Sequence, residues 1–523
     1  MSQNGQKPLP GRVPIRIQRF NPDIDSQPYF DTFEVQLTPD TTLLDALESI
    51  KAEQDGTLTF RRSCRHGICG SCAVNINGVN VLACSQPLAN HLNQAGEVFI
   101  RPLPSLPIIK DLVVELEPFW EQYRRVKPWL IPPASLPEKE IGMLPEQVTA
   151  LCNAEKCIMC GVCYSACPVI SLDAEFVGPH AMLKAFMRVL DPRDNAPGEH
   201  MTDIASVWDC TTCYKCNLLC PKELTPGQAA PTLRSNLVET GKVPRTIGAA
   251  LTSTFRNNNP FELPHANRAA WASQDGLKNA LEEPVDALYF VCCLACYDSR
   301  AQKAAQAMVK VMTAAGINLG TLGSEEACCG SEMHRLGEMG LFEMMVKERA
   351  QVLSLAQAKE IVTISPHCFN VFKNHYPDFK YTIEHYTQYV ARLIADRGLI
   401  FKSEIKKKVT YHDPCYLGIQ NKIFDEPRAI LQAIPGLELV EMQHNREISL
   451  CCGGGGGRMW FEGHNPEASL AQERVREAIA TGAKILATAC PFCLNMLDDA
   501  VKTLGLDDQI EVKDLMELAV MAL

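Results

Sequence analysis

No stretch of this sequence approaches the roughly 18 uninterrupted apolar residues of a membrane-spanning helix, so the chain is not expected to span a membrane by itself. Its first residues, MSQNGQKPLPGRVPIRIQ, carry no apolar signal core, and export is not expected. Basic stripes are also missing. With 50 Lys and Arg against 61 Asp and Glu, the net charge is −11, which argues against a nucleic-acid partner because no basic surface is left to displace counterions from phosphates. A flavin fingerprint is absent too, since the glycine run 453–457 has no following acidic residue in a βαβ unit. What the sequence has in excess is cysteine, 24 in 523 residues. That is more than packing needs, and a disulfide scaffold would normally be short and exported. The thiols are therefore read as reduced metal ligands in a cytoplasmic or membrane-peripheral, oxygen-sensitive protein. The length predicts about two to four domains, and 46% hydrophobic residues are ample for their cores.

The cysteines are ordered along the chain. Residues 12–20 (RVPIRIQRF) and 33–37 (FEVQL) alternate apolar and polar side chains, which predicts half-buried strands. Leu43, Leu44, Leu47 and Ile50 fall at helical spacing, with Asp40 or Thr41 placed to cap the helix. Cys64-x4-Cys69-x2-Cys72 follows, and Cys84 comes after a hairpin whose Asn77-Gly78 pair suits a tight turn. This is plant-type [2Fe–2S] spacing, in which a loop wraps one edge of the cluster and the fourth thiolate arrives from a separate strand. Gly67 and Gly70 let backbone N–H groups approach the sulfides. From about residue 111 the pattern turns helical. Cys157-x2-Cys160-x2-Cys163-x3-Cys167-Pro168 and Cys210-x2-Cys213-x2-Cys216-x3-Cys220-Pro221 are two copies of the bacterial ferredoxin run. In two-cluster ferredoxins the fourth Cys of each run ligates the other cluster. One [4Fe–4S] is thus assigned to Cys157, Cys160, Cys163 and Cys220, and a second to Cys210, Cys213, Cys216 and Cys167. Cys152 falls outside the spacing and is read as a buried free thiol.

The segments SCRHGICGSCAVNINGVNVLAC, CIMCGVCYSACP and CTTCYKCNLLCP resemble the iron–sulfur subunit family of succinate dehydrogenase and fumarate reductase, over roughly residues 12–245. The resemblance implies a β-grasp [2Fe–2S] ferredoxin domain (1–110), an α-helical two-cluster domain (111–245), and a flavoprotein partner carrying FAD. The respiratory members usually lack the middle Cys of the second run, which leaves a [3Fe–4S] centre beside a quinone. Here Cys213 fills that position, so a full cubane is expected and a quinone pocket of the usual kind is not.

Residues 246–284, rich in Asn, Pro and Gly, read as a linker. Beyond it lies an internal repeat, in 285–405 and 406–523. Its first copy holds Cys293, then Cys328 and Cys329, then Ser365-Pro366-His367-Cys368. Its second holds Cys415, then Cys451 and Cys452, then Cys490-Pro491-Phe492-Cys493. The runs DALYFVCC, EIVTIS, KVTYHDPC and KILATACP read as buried strands ending at the cysteines, separated by helices such as RAQKAAQAMVKVMTAAG and EASLAQERVREAIATG. That pattern predicts an α/β module with ligands at strand C-termini. The Gly453–Gly457 run can bring backbone close to an anionic cluster and adopt φ values closed to other residues.

This half resembles the cysteine-rich CCG family, which includes the catalytic subunit of heterodisulfide reductase and holds noncubane [4Fe–4S] clusters on five thiolates. By that resemblance, Cys415, Cys451, Cys452, Cys490 and Cys493 form a complete noncubane set. The first copy departs from it, because Ser365 stands where a Cys would be, and a hydroxyl is a poor iron ligand. Cys293, Cys328, Cys329 and Cys368 suffice for a further [4Fe–4S], either an ordinary cubane or an altered cluster, while a copy that has lost its cluster is the alternative. Cys292 and Cys296 could substitute or pack. His334, His367 and His412 flank these ligands, where a histidine can donate a proton, orient a ligand or simply pack, and the packing reading is preferred for each; the aromatic Trp460 and Phe492 are read as core residues. The union of both halves resembles the B-subunit family of thiol:fumarate reductases. It implies a multidomain α+β and α/β electron-transfer subunit relaying electrons between the flavoprotein and a thiol/disulfide site. Two alternatives stand: a CCG relay to a quinone-linked membrane partner or further redox subunits, for which VKDLMELAVMAL is a weak anchor candidate expected instead to pack as a core helix, or a different flavoprotein dehydrogenase as the partner.

Overall fold

In a computed structural model of the chain, the described residues are 11–523 except 94, 136, 202–204, 273–276, 377–380, 462, 466 and 468. The N-terminal segment before Gly11 and residues 273–276 of the expected linker therefore lie outside the described residues. The chain forms two compact units, Met1–Val207 with Tyr214–Ala229, and Trp208–Cys213 with Ala230–Leu523. The second ferredoxin run is thus shared between units, where the sequence placed a boundary at 245/246.

In the first unit, β1 (Arg12–Arg19) pairs antiparallel with β2 (Tyr29–Gln36), and Val13, Ile15 and Ile17 fill alternate buried positions. Helix α1 (Leu43–Glu53) buries Leu43, Leu44, Leu47 and Ile50. Its cap is Thr42, one residue beyond the expected pair. The Thr42 hydroxyl accepts from Asp45 N–H while Asp45 accepts from Thr42 N–H, a reciprocal box that Asp40 and Thr41 are too far back to make. β3 (Ala73–Ile76) and β4 (Val79–Leu82) join through Asn77 and Gly78, both at positive φ as a two-residue hairpin turn requires. With β5 (Val98–Arg101) the sheet order is β2-β1-β5-β3-β4. A short ribbon, β6 (Ile108–Lys110) and β7 (Val113–Val114), leads into helices α2 (Glu117–Arg125), α3 (Pro145–Glu155), α4 (Val162–Ser165), α5 (Gly178–Leu190) and α6 (Lys215–Leu218). Buried Asn80 on the hairpin donates to Val162 O at 3.2 Å and Ser165 Oγ at 2.8 Å, which ties the sheet to α4.

The second unit opens with α7 (Ala229–Glu239) and α8 (Arg245–Asn257). The segment expected as a linker is folded: α8 buries Ile247, Ala250, Ser253 and Thr254, Arg268 and Trp271 are buried, and β8 (Lys278–Asn279) joins a sheet. Its Asn, Pro and Gly residues mark irregular backbone, which need not be exposed. The first CCG copy runs β9 (Val285–Phe290), α9 (Cys293–Tyr297), α10 (Ser299–Ala314), β10 (Leu319–Thr321), α11 (Ser331–Leu336), α12 (Met339–Leu355), β11 (Ala358–Thr363), α13 (Pro366–His375), β12 (Thr382–His385) and α14 (Tyr386–Ala395). Its sheet order is β12-β11-β9-β10-β8, every pairing parallel. The second copy runs β13 (Lys408–His412), α15 (Gly418–Asn421), α16 (Asp425–Ala433), β14 (Glu438–Leu439), α17 (Leu470–Ala480), β15 (Ile485–Thr488), α18 (Pro491–Thr503), β16 (Glu511–Asp514) and α19 (Leu515–Ala522). Its sheet, β14-β13-β15-β16, is also parallel.

The copies are joined by packing. Arg300 on α10 grips the Glu517 carboxylate with two bonds of 2.9 Å, and Tyr386 donates to Asp514 at 3.0 Å. Helix α19, the segment weighed as an anchor, buries Leu515, Met516, Leu518, Ala519 and Ala522, and α10 packs on it. Among the described residues no helix is long and apolar enough to cross a membrane.

The glycine run has a specific neighbour, the segment Trp208–Cys213. A Cβ on Gly456 would lie 2.4 Å from Cys210 O, and one on Gly455 would lie 2.6 Å from Thr211 O. Buried Arg234 clamps the two backbones, donating to Cys210 O at 2.7 Å and Gly456 O at 2.9 Å. Gln420 donates to Thr212 O at 2.9 Å, and the Thr212 and Tyr416 hydroxyls bond at 2.7 Å. Gly456→Ala, at φ 62° and facing a carbonyl, should destabilise the unit by roughly 1–3 kcal/mol and loosen this segment, which anaerobic thermal unfolding and hydrogen exchange at residues 208–213 would show.

Candidate metal centres

The loop after α1 is wound so that its N–H groups face sulfur. Cys64 Sγ accepts from the backbone N–H of His66, Ile68 and Cys69 at 3.4, 3.4 and 3.3 Å, and Cys84 Sγ accepts from Gly67 at 3.2 Å. Gly67 and Gly70 take φ of 66° and 73° to make this winding. The Ser71 hydroxyl and nearby backbone N–H groups bring the Cys69 thiol down to about 6, whereas burial pushes Cys72 up to about 12. N–H groups converging on sulfur are what an anionic cluster of thiolates needs.

Cys157, Cys160, Cys163 and Cys220 line one small pocket, walled by Phe119, His180 and Leu183 among others. These are the four thiols that the crossed ferredoxin assignment groups. Burial raises Cys163 well above the usual thiol range, and the neighbouring Cys160, Cys157 and Cys220 push it the same way. The two loops of this unit touch: a Cβ on Gly70 would fall 2.6 Å from Cys160 Cβ. In the other set, Cys167 and Cys216 belong to the first unit and Cys210 and Cys213 to the second. Cys152, expected to be buried, is exposed on α3.

In the second CCG copy all five predicted thiols are buried, and they form a chain of sulfur contacts: Cys415 to Cys451, Cys451 to Cys452, Cys452 to Cys493 and Cys493 to Cys490. They hang from the C-terminal ends of β13 and β15 and from the loop before the glycine run. Gly453 N–H donates to Cys451 Sγ at 3.3 Å. Cys213 lies near enough for its charge to raise the Cys451 thiol. Burial would raise Cys490, but bonds from Cys493 and from the His367 ring reverse this and bring it to about 5.

In the first copy Cys293, Cys328, Cys329 and Cys368 form the corresponding chain, with Cys329 and Cys368 Sγ 3.3 Å apart. Ser365 occupies the place of Cys490, fully buried, and its hydroxyl caps α13 by accepting from His367 N–H at 3.3 Å. Cys296 turns aside to Val291 O. Cys292 is buried within electrostatic reach of both Cys368 and Cys490. Arg268 donates to Cys293 Sγ at 3.2 Å and to Glu326 at 2.8 Å, so a side chain from the expected linker supplies positive charge to this copy.

The histidines divide between the readings the sequence allows. His334 packs against His375 and Phe342, as a core residue would. His367 does more than pack: its ring lies between Tyr416 and Phe492, with centroids 4.0 and 4.4 Å away, and its Nδ1 meets Glu332 Oε1 at 2.7 Å. Burial opposes its protonation, but Cys490 and Glu332 outweigh this and raise it to about 10. A first-copy histidine therefore serves a second-copy thiol. The only signal in the sequence was a His inside the SPHC variant of CPxC. Trp460 packs near Phe261, 5.6 Å away.

The chemistry of these donor sets fits iron–sulfur clusters. Thiols are gathered in groups of four or five at sites where burial and mutual repulsion oppose ionisation, and an added cation reverses that balance. A ring nitrogen of His412 and the Sγ atoms of Cys452 and Cys493 lie within 4.8 Å of one another, and the buried His412 Nε2 finds no partner among the described residues.

Residues 14–121 match the family described as a 2Fe-2S iron-sulfur cluster binding domain, residues 153–224 a 4Fe-4S dicluster domain, and residues 287–373 and 409–498 the cysteine-rich (CCG) domain. Fold and sites together define an oxidoreductase subunit that carries electrons on iron–sulfur clusters. The chain is 31% identical to the B-subunit of the fumarate reductase (CoM/CoB) of Methanothermobacter marburgensis over 519 residues, 98% of this chain and 99% of that one, and it belongs to the same family. It is also 29% identical to an uncharacterized iron-sulfur protein of Methanocaldococcus jannaschii over 516 residues, 97% of this chain and 99% of that one. The D-subunit of the dihydromethanophenazine:CoB–CoM heterodisulfide reductase of Methanosarcina barkeri is 30% identical over 399 residues, 71% of this chain and 95% of that one.

Glu332→Gln strips buried His367 of its carboxylate. A loss of roughly 3–5 kcal/mol is expected, and most of it should return in the Glu332→Gln/His367→Phe double variant, measured by anaerobic denaturant unfolding.

Proposed function

We propose that the chain relays electrons between a flavoprotein (FAD) subunit of succinate dehydrogenase/fumarate reductase type and a thiol/disulfide half-reaction at the second CCG copy. Cys64, Cys69, Cys72 and Cys84 would hold a [2Fe–2S]. Cys157, Cys160, Cys163 and Cys220 would hold one [4Fe–4S] cubane, and Cys167, Cys210, Cys213 and Cys216 another. Cys293, Cys328, Cys329 and Cys368 would hold a four-thiolate [4Fe–4S], and Cys415, Cys451, Cys452, Cys490 and Cys493 a noncubane [4Fe–4S]. Bound there, such groups supply one-electron transfer and, at the five-thiolate site, iron for sulfur to bind. The domains proposed are 1–110, 111–245, and the CCG copies 285–405 and 406–523, with 246–284 contributing to the first copy.

The observation that carries this reading is the docking of Trp208–Cys213 on the glycine run beside Cys451. It brings the start of the second ferredoxin run to the five-thiolate site through backbone contact. The residues of the chain act as spacers and charge-setters. Gly70 holds the first two loops in contact, Arg234 holds the Cys210 backbone, and His367 with Glu332 carries positive charge to Cys490. The [2Fe–2S] loop exposes Ile68, 62% accessible, where a partner protein could cover it. The thiol reading is favoured over a quinone-linked membrane relay because α19, the candidate anchor, has its apolar face packed within the module.

Anaerobically prepared protein should contain about 18 iron atoms; about 14 would leave one CCG copy empty, and about 10 would overturn the metal reading of that half. Cys213→Ser should open one cubane and generate a three-iron EPR signal, and the same signal at full occupancy in the unaltered protein would refute the second cubane. Cys451→Ala should abolish reduction by the thiol donor while dye-driven fumarate reduction by the assembled complex persists. Equal loss of both activities with the ferredoxin signals intact would sink the division of half-reactions.

A further inference from the structure

His412 ends strand β13, three residues before Cys415, and is 1% exposed. Its Nδ1 accepts a hydrogen bond from Arg474 Nε at 3.1 Å. A guanidinium nitrogen has no lone pair to offer and is always the donor, so Nδ1 is the unprotonated nitrogen and the ring proton sits on Nε2. Arg474 is fully buried and held in place by His444 O at 2.7 Å and Ser449 Oγ at 3.3 Å, with Glu477 as its counter-ion. With Nδ1 held as an acceptor by the Arg474 guanidinium, the ring carries a single proton. The Nε2–H is then a buried donor with no partner among the described residues, in a ring whose nitrogen lies within 4.8 Å of Cys452 and Cys493 Sγ. Buried N–H groups are seldom left without an acceptor, and here the acceptors at hand are sulfur.

We propose that His412 donates its Nε2–H to sulfur at the iron–sulfur centre of the second CCG copy, with Arg474 as the positioning residue that fixes the tautomer, and that His412 is not an iron ligand. The proposal rests on the reading of Cys415, Cys451, Cys452, Cys490 and Cys493 as a cluster site. Ligation would need a lone pair on Nε2 and hence a proton on Nδ1, where Arg474 already presents its own N–H. The first copy has no equivalent, because Phe290 closes β9 three residues before Cys293. Hydrogen bonds to cluster sulfur favour the reduced state, so the donor holds the second copy at a higher potential than its thiols alone would set.

The test uses the anaerobic holoprotein. In the unaltered protein, pulsed EPR of the second-copy centre should show weak coupling to nitrogen from [15N]histidine and an exchangeable proton coupling that D2O removes. His412→Phe should retain the iron content, lose that proton coupling and shift the midpoint potential of this centre downward, with the ferredoxin signals unmoved. His412→Gln, which can present an N–H, should recover part of the shift. Strong nitrogen coupling in the unaltered protein, or loss of iron in His412→Phe, would make His412 a ligand and overturn the proposal. Absent proton coupling together with an unchanged potential would reduce it to a core residue. An unaltered protein with no iron or signal at the second copy would overturn the cluster reading itself, an outcome told apart from the others by a lowered iron count together with an iron content that Cys451→Ala leaves unchanged.

Discussion

Several thiols buried together cannot all ionise unless positive charge is brought to them, and the architecture of this protein follows from that constraint. Burial lifts Cys163, Cys292, Cys296 and Cys493 above the ordinary thiol range, and neighbouring thiolates add to the effect. The polypeptide supplies part of the compensation itself. Backbone N–H groups converge on Cys64, Arg268 reaches Cys293, and His367 with Glu332 reaches Cys490. The remainder falls to metal, which is why the same positions that would be costly in a metal-free core are consistent as cluster sites.

The two CCG copies share one topology and differ in chemistry. The second has a fifth thiol at Cys490, a histidine at the end of its first strand, and a glycine run that admits a neighbouring backbone. The first has Ser365, Phe290 and the SEMH helix in those places. The helix serves the other copy, because its Glu332 orients His367 toward Cys490. Duplication gave a symmetric frame, and its side chains are arranged so that the first copy supports the site of the second.

The fold was legible where the chain is periodic. The alternation in 12–20 became β1, and the strand runs that end at cysteines became β9, β11, β13 and β15. The cap of α1 was misplaced by one residue because Asp40, Thr41 and Thr42 are all acceptable caps, and only the partner Asp45 selects among them. The 246–284 segment was misread because turn-forming residues look alike in a linker and in an irregular buried segment. Its buried Arg268 has no periodic signature, and neither does the exposure of Cys152.

The sequence alone determined which residues are candidate ligands, since ligand spacing along one chain is a local property and cysteine chemistry leaves few alternatives. It also determined that the C-terminal half is a duplicated strand–helix module, because hydrophobic period and repeated motifs are local as well. Tertiary structure decided what lies beside those ligands. That Gly455 and Gly456 face the carbonyls of Thr211 and Cys210, that His367 crosses between copies, and that His412 carries its proton on the nitrogen facing away from Arg474 all depend on segments far apart in the chain. Such contacts join residues some 60 to 250 positions apart, as in the pairs Arg474–His412 and Gly456–Cys210. No local pattern encodes them, because burial and hydrogen-bond direction are set only when the chain has closed around them.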